Sequence, residues 1–393
     1  MNPSDRILIC GIGGGGCAML GALAQGWPEI PECAVVHSEA EGLSAAGVDR
    51  SVLLGGTVRM GVSMGGDMAR GRRLAESSER ELRQLVTDRD LVILIVTLGG
   101  GTGSAVAPYL ADLARQSGAL TLVFCTTPLR FEGPQRQSNA DVALHELHRT
   151  AGAVVVFPNQ RLAEWFGGSV SIIEAFDRVN TIIGRHVRAV WNTLRRPGLL
   201  RADVMDLRRM VERGNGVLSV AHGEAEGANR AADAVNELVS SPMMEGGSVL
   251  SAAAGLFVAI AGGSDLRLEE IELLTDELRR RARSDVEFIL GASICPAYEG
   301  RLAVTLLASE TLAALPAEEP SLAETTAGET AAPSGATPPP RGARRGRRGK
   351  QQIELPLQPT QQGRFANLAP TVYGGEDMDQ PTFRRRRIDL KAL

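Results

Sequence analysis

The segment Leu91–Pro108, LVILIVTLGGGTGSAVAP, constrains the fold of this chain more than any other. An apolar run without polar alternation is the pattern of a strand buried on both faces, and such strands belong to parallel sheets covered by helices. The run ends in Gly99, Gly100 and Gly101, then Thr102 and Gly103, and a helical pattern follows from Tyr109 to Gln116. Glycines let the backbone turn sharply with no Cβ in the way. The helix behind them offers free N–H groups and the positive end of its dipole. Strand, glycine loop and helix together make an anion cradle, with the Thr102 hydroxyl as an added donor. The plainer reading of the same residues is a tight strand-to-helix turn with no ligand.

The same alternation recurs along the chain. Strands are expected at 6–10, 33–38, 91–98, 120–128 and 153–158, and helices near 79–87, 107–116 and 136–149. That order predicts an α/β fold built on a doubly wound parallel sheet with right-handed crossovers. Ligands of such sheets sit beyond the carboxyl ends of the strands. A long helix is expected over 171–195, its apolar stripe formed by Ile172, Ile173, Phe176, Val179, Ile183, Val187 and Val190, ending before Pro197-Gly198. A smaller α+β part should follow, with helices at 203–213 and 226–239 and strands at 217–221, 249–260, 285–295 and 301–308. The expected division is a ligand-binding domain at 1–170, a central helix at 171–196, a second domain at 197–312, a disordered linker at 313–363 and a tail peptide at 364–393.

With 393 residues and 44% hydrophobic content, two packed domains and a tail are affordable. A net charge of −4 gives no nucleic-acid signal for the chain as a whole. No apolar run reaches the ~20 residues that span a bilayer, and the start MNPSDRILIC lacks the pattern of a signal peptide, so a cytoplasmic location is expected. Cys10, Cys17, Cys33, Cys125 and Cys295 are odd in number and have no metal-ligand spacing; they are read as reduced core residues, and no protein metal site is expected. Residues 316–363 are too rich in Pro, Ala, Glu, Thr and Gly to fold alone. Their basic cluster at 341–350 is read as an extended tether, or as a nonspecific contact for DNA or lipid. The ending EDMDQPTFRRRRIDLKAL at 376–393 reads as a short recognition peptide, or as a solvated tail.

A second glycine loop, Gly11-Ile12-Gly13-Gly14-Gly15-Gly16, also follows a strand and fits G-x-G-x-x-G. Taken alone, with Glu39 near the end of the next strand, it is a dinucleotide fingerprint and implies an NAD-linked oxidoreductase. The stronger loop at 99–103 counts against that reading, because one dinucleotide site does not require it. Glu132 and Arg136 are spaced i, i+4, as are Phe176 and Asn180, while Asp203 and Asp206 are i, i+3 at the expected start of a helix. Singly, these are an ion pair, a core aromatic and an N-cap.

Together, in this order, they resemble the FtsZ family, the bacterial tubulin-like GTPases of cell division. The resemblance covers about residues 6–312 and rests on GIGGGG, GGGTGS, TTPLRFEG, FPN at 157–159, EAFDRVN and RPGLLRADVMDLR, with the C-terminal end as a further match. It implies a tubulin-like, Rossmann-like sheet with a long central helix. It further implies that Gly13, Gly14, Gly15, Gly16, Cys17 and Ala18, with Gly100, Gly101, Thr102, Gly103 and Ser104, hold the phosphates of GTP or GDP. Glu132 and Arg136 would meet ribose and phosphate, Asn159 would join the nucleotide set, Phe176 would stack on guanine and Asn180 would bond to it. Asp203 and Asp206 would act in trans, on the nucleotide of the next subunit of a head-to-tail homopolymer. Mg²⁺ would be held mainly by phosphates. The tail at 376–393 would bind a membrane-tethering or division protein and bring the chain to the membrane at the division site. No specific nucleic-acid partner and no transmembrane segment are implied.

Several positions depart from the family pattern. His37-Ser38-Glu39 stands where Asn-Thr-Asp is usual, Cys17-Ala18 where an asparagine is expected, Met64-Gly65-Gly66-Asp67 for Ala-Gly-Ala-Asn, and Ser104-Ala105 for Thr-Gly. His37 is a candidate base or ribose contact, or a plain loop histidine. Arg201 replaces an asparagine ahead of the two aspartates. It would either stabilise phosphate charge across an interface or pair with Asp203 or Asp206 and blunt them. The second reading is preferred and implies slow or altered hydrolysis. An alternative is a GTP-binding structural paralogue that hydrolyses little.

Overall fold

The structure, a computed structural model, describes residues 6–25, 27, 31–56, 64–167, 169–195, 199–214, 216–310, 372–373 and 376–377. In chain order the first half comprises β1 (Ile7–Ile12), α1 (Gly13–Gln25), β2 (Glu32–His37), α2 (Ala40–Ala45), β3 (Arg50–Leu53), α3 (Met68–Ser77), α4 (Glu79–Val86), β4 (Leu91–Thr97), α5 (Gly101–Gln116), β5 (Leu120–Thr127), α6 (Pro134–Thr150), β6 (Ala153–Pro158) and α7 (Asn159–Phe166). The long helix α8 (Ile172–Arg195) leads to α9 (Val204–Arg213), β7 (Val217–Glu226), α10 (Arg230–Ser240), α11 (Ser248–Ala252), β8 (Ala253–Gly262), α12 (Leu268–Arg281), β9 (Glu287–Ile294) and β10 (Arg301–Glu310).

Ten strands form one continuous sheet in the order β3-β2-β1-β4-β5-β6-β7-β10-β8-β9. From β3 to β7 every pairing is parallel. β10 runs antiparallel to both β7 and β8, and β8 is parallel to β9. The parallel half is covered on both sides, as its apolar strands require. Ile7 and Ile9 of β1 face a core shared with α1 and α8, whereas Leu8, Cys10 and Ile12 face a second core shared with α3 to α6. A third core lies between α10, α12 and the mixed half of the sheet.

Strand order reverses between β1 and β4, which are neighbours although β2 and β3 intervene in sequence. Helices leaving two such adjacent strands diverge to opposite faces and open a crevice at the carboxyl edge. α1 and α5 are those two helices, and both begin within glycine loops.

Three expectations need correction. The α5 pattern was expected from residue 107, but the helix starts at Gly101, because its glycines pack as helix against Met64 and the end of β4. The apolar stripe expected along α8 holds only from Val179 onward; Ile172, Ile173 and Phe176 are exposed, since the first turns of α8 extend past the core. The strand expected over 249–260 begins only at Ala253, because Ser248–Ala252 wind into α11; elements α2, β3, α3, α7, α11 and α12 are additional to those expected.

By internal contacts the chain divides into Met1–Ser321 and Leu322–Leu393. In the second unit the described residues form a short antiparallel pair, β11 (Val372–Tyr373) with β12 (Glu376–Asp377). The basic cluster at 341–350, the linker and most of the tail peptide lie outside the described residues. Among the described residues no helix is long and apolar enough to cross a membrane.

Candidate functional site

At the carboxyl ends of β1, β2, β4, β5 and β6 lies an open cavity of about 860 Å³. Gly13, Gly14, Gly15 and Ala18 of α1 form one wall, and Gly100, Gly101, Thr102 and Gly103 at the start of α5 form the other. The two loops touch: a Cβ on Gly13, whose φ is +71°, would lie 3.1 Å from the Gly103 nitrogen. Two helix N-termini therefore converge on one volume, and no side chain fills it from these loops. That arrangement suits a polyanion.

The walls are fixed by side chains under and beside them. The Ser38 and Thr102 hydroxyls lie 3.0 Å apart in a buried hydrogen bond that ties the end of β2 to α5. The Ser104 hydroxyl accepts from the Gly99 N–H at 2.8 Å and so holds the turn into α5. Asn139 Nδ2 donates to the carbonyls of Gly66 at 2.9 Å and Gly99 at 3.2 Å, while its Oδ1 accepts from Gln135. This buried amide links the Met64–Gly66 loop to the glycine turn.

Most of the expected nucleotide set gathers here. Glu132, Arg136, Asn159, Phe176 and Asn180 all line the same cavity. Glu132 accepts from the Leu129 N–H at 2.8 Å and from Arg136 at 2.7 Å, so the i, i+4 pair forms an ion pair at the rim. Asn159 opens α7 directly from β6, and its buried Oδ1 has no hydrogen-bond partner among the described residues. Phe176, 39% exposed, and Asn180 project from the first turns of α8. An orphaned acceptor, an exposed aromatic face and an amide on one wall fit a flat base carrying hydrogen-bond donors.

Gly16, Cys17 and Ser104 do not line the cavity. Gly16 packs on the Ile95 carbonyl, where a Cβ would fall 2.3 Å from the oxygen. The Cys17 thiol lies 3.6 Å from the carbonyls of Gly11 and Val36, and burial pushes its pKa up to about 12, so it is a neutral core group. His37, a candidate base or ribose contact from the sequence, lines the cavity, and so do Met64, Thr97, Thr126, Gln135 and Asn139, which the expected set does not include. His37 had a local signal, a histidine at a strand end facing a glycine loop; Asn139 had none, being one polar residue in a polar helix.

The acidic pair lies elsewhere. Asp203 is the N-cap of α9; its carboxylate accepts from the Met205 and Asp206 N–H groups at 2.8 and 3.0 Å, and Asp206 accepts back from the Asp203 N–H at 3.0 Å. Neither lines the cavity. From Asn180 to the end of α8 the helix runs about 22 Å at 1.5 Å per residue, and α9 follows beyond it. The expected pairing of Arg201 with Asp203 or Asp206 is not found. Asp206 pairs with Arg209 one helical turn on, and Arg201 is exposed with no hydrogen bond or ion pair among the described residues.

Comparison with known proteins places these features. The profile of the Tubulin/FtsZ family GTPase domain matches residues 6–167, and that of the FtsZ family C-terminal domain matches residues 216–311. The chain is 32% identical over 306 residues to cell division protein FtsZ of Methanothermobacter thermautotrophicus, covering 78% of this chain and 79% of that protein. It is 32% identical over 301 residues to cell division protein FtsZ 1 of Archaeoglobus fulgidus, covering 77% and 81%. Among solved structures, an empty FtsZ dimer from M. jannaschii superposes with a TM-score of 0.71 at 27% identity, over 78% of this chain and 88% of that one. A GTPγS-bound protofilament of CetZ2 from Haloferax volcanii superposes with a TM-score of 0.62 at 25% identity, over 77% and 92%. The matches leave no place for the NAD-linked reading of Gly11–Gly16 and Glu39.

Proposed function

The chain belongs to the Tubulin/FtsZ family, and from that premise we propose that it is a self-assembling GTPase whose reaction centre is divided between neighbouring subunits. As a member of the family it is a GTP-binding, GTP-hydrolysing protein of cell division. In the proposed arrangement the glycine loops of α1 and α5 hold the phosphates through backbone N–H groups. Phe176 stacks on guanine, Asn180 and Asn159 bond its edge, and the Glu132–Arg136 pair opens to ribose and phosphate. Mg²⁺, when bound, would be held mainly by the phosphates and would supply neutralisation of their charge. The chain's own contribution is to bind and orient.

A cradle of this kind positions the γ-phosphate but supplies nothing to orient the attacking water. Asp203 and Asp206 are the proposed water-orienting groups, reaching the nucleotide of the adjacent subunit. The observation that carries the reading is the separation of the two sets: a polyanion cavity at one end of α8, and a capped carboxylate pair past the other end. A contact joining one end of a subunit to the opposite end of the next does not close, and so builds a filament. The tail at 376–393 is proposed to recruit the partner that brings such filaments to the membrane.

GTP turnover measured against protein concentration tests this. Turnover per molecule should be near zero at high dilution and rise above a threshold. Undiminished turnover per molecule in the diluted, monomeric protein would overturn the proposal.

A further inference from the structure

Gly99 lies between β4 and α5, and side chains take both of its polar backbone groups. Its N–H donates to the Ser104 hydroxyl at 2.8 Å, and its carbonyl accepts from Asn139 Nδ2 at 3.2 Å. Its φ is +101°, and a Cβ there would fall 2.6 Å from Pro128 Cγ and 3.1 Å from the Arg136 carbonyl oxygen. Every peptide bond among the described residues is trans. In a trans peptide the C=O and the N–H of the next residue point in opposite directions. Drawing the Gly99 carbonyl onto α6 therefore turns the Gly100 N–H away from α6. Gly100 lines the cavity and borders open space, since a Cβ there would meet nothing within 4 Å. The N–H groups of Gly100, Gly101, Thr102 and Gly103 have no hydrogen-bond acceptor among the described residues. The second hydrogen of Asn139 Nδ2 goes to the Gly66 carbonyl at 2.9 Å. The turn that it holds is closed by the Asp67 N–H on the Met64 carbonyl at 2.9 Å and seated on α5, where a Cβ on Gly101 would lie 2.7 Å from Met64 Cβ. Gln135 donates to Asn139 Oδ1, and the two carbonyls need donors, so one orientation of the buried amide serves all three.

We propose that Asn139 is a positioning residue of the nucleotide site: by holding the Gly99 and Gly66 carbonyls with its two amide hydrogens, it presets the Gly100 N–H, and with it the start of α5, for the phosphate chain. Both of its donors are occupied, so it acts through the Gly100 amide and not on the ligand. The proposal rests on the nucleotide reading given above. Two adjacent glycines put little steric limit on the peptide between them. Freed from Asn139, the peptide joining Gly99 to Gly100 can rotate and face the polyanion with a carbonyl oxygen in place of an N–H. Binding must then order that turn, and ordering costs affinity. The proposed base contacts are set independently: Asn159 belongs to α7, Phe176 and Asn180 to α8, and neither helix takes part in these bonds. Loss of Asn139 should accordingly weaken the hold on phosphates and spare the hold on the base.

The test compares GDP with guanosine, which shares the base and ribose but lacks the phosphates, on the full chain. GDP is titrated calorimetrically, and guanosine is measured by competition with a fluorescent guanine nucleotide. Asn139→Leu keeps the approximate shape and removes both donors. Its GDP affinity should fall roughly tenfold, the scale of one lost hydrogen-bonded constraint, while guanosine affinity changes by less than about twofold. Equal loss for the two ligands, or loss for neither, overturns the proposal. Leu147→Ala, buried two turns further along α6, is the control. It loosens the same helix without touching either carbonyl, so it should lower the unfolding temperature and leave the ratio of GDP to guanosine affinity unchanged. A matching change of that ratio in Leu147→Ala would show that general loosening of α6 is enough, and also overturns the proposal. Should Asn139→Leu not fold, Asn139→Ala admits water to both carbonyls, and the same split between GDP and guanosine is expected of it. Failure of the parent to bind GDP at all would instead overturn the nucleotide reading.

Discussion

Arg201 stands exposed ahead of α9 while Arg209, not Arg201, pairs with Asp206. If the two carboxylates serve a neighbour's nucleotide as proposed, an unpaired guanidinium beside them would meet phosphate charge across the contact, as an arginine finger does. Replacing it by the smaller neutral amide, Arg201→Asn, should lower GTP turnover in assembled protein by at least several-fold and leave GDP affinity of the monomer unchanged. Steady-state turnover and GDP titration on the same preparations check this; a rise in turnover would restore the blunting role. At this scale the site was partly legible. Glu132, Arg136, Phe176 and Asn180 were visible as spaced pairs, because a helix places i and i+4 together whatever the tertiary context. Asn139 was not, because its task is to bond the carbonyls of Gly66 and Gly99, both distant in sequence. Nor could sequence say that Ser104 and Cys17 turn away from the cavity, since direction at a helix start depends on the packing beneath it.

The helices α1 and α5 owe their position to glycines that most scales count against helix formation. Residues 13–16 and 101–103 look like loops in sequence, yet they are first turns, and at Gly15, Gly16 and Gly103 only a hydrogen atom fits between the helix and β4. Gly16 is the clearest case, since its Cα faces the backbone carbonyl of Ile95 in β4 and a carbonyl cannot rotate aside. Gly16→Ala should lift α1 from the sheet, cost roughly 1–3 kcal/mol of stability, and weaken GDP binding although residue 16 does not line the cavity. Thermal unfolding and GDP titration measure the two effects; unchanged affinity would show that the cradle does not depend on this contact. The strands were easier to find. β4 is apolar up to its last residue, β5 is mostly so, and β6 matches its expected bounds, because burial on both faces favours such a composition. Helix α3 was hidden by its polarity: among its described positions it buries only Gly71 and Ala75. Helix α12 did carry a signal, apolar residues at 271, 274 and 278, in a segment dominated by charge.

For the molecule as a whole, a divided reaction centre makes a demand that no single-subunit enzyme meets. Two variants, each inactive, should restore activity in one another's company. Asp206→Asn retains the cavity but loses the carboxylate; Phe176→Ala with Asn180→Ala retains the carboxylates but loses the base contacts, and Phe176 is exposed enough for the fold to survive its loss. In an equal mixture that co-assembles at random, about a quarter of the contacts pair an intact cavity with an intact carboxylate. Turnover near that fraction of the parent's is expected, and none at all would argue that each subunit works alone. The ten-stranded sheet that carries both ends is not uniform along its width. Among the described residues β6 meets β7 through only Val154 with Val217 and Val155 with Leu218, whereas β7 and β10 are matched over nine residues. So few backbone hydrogen bonds make a crease. Load passed along a chain of subunits would flex the molecule there first, with α8, packed on β7, β8 and β9, as the axle, and the two halves would turn while each kept its shape.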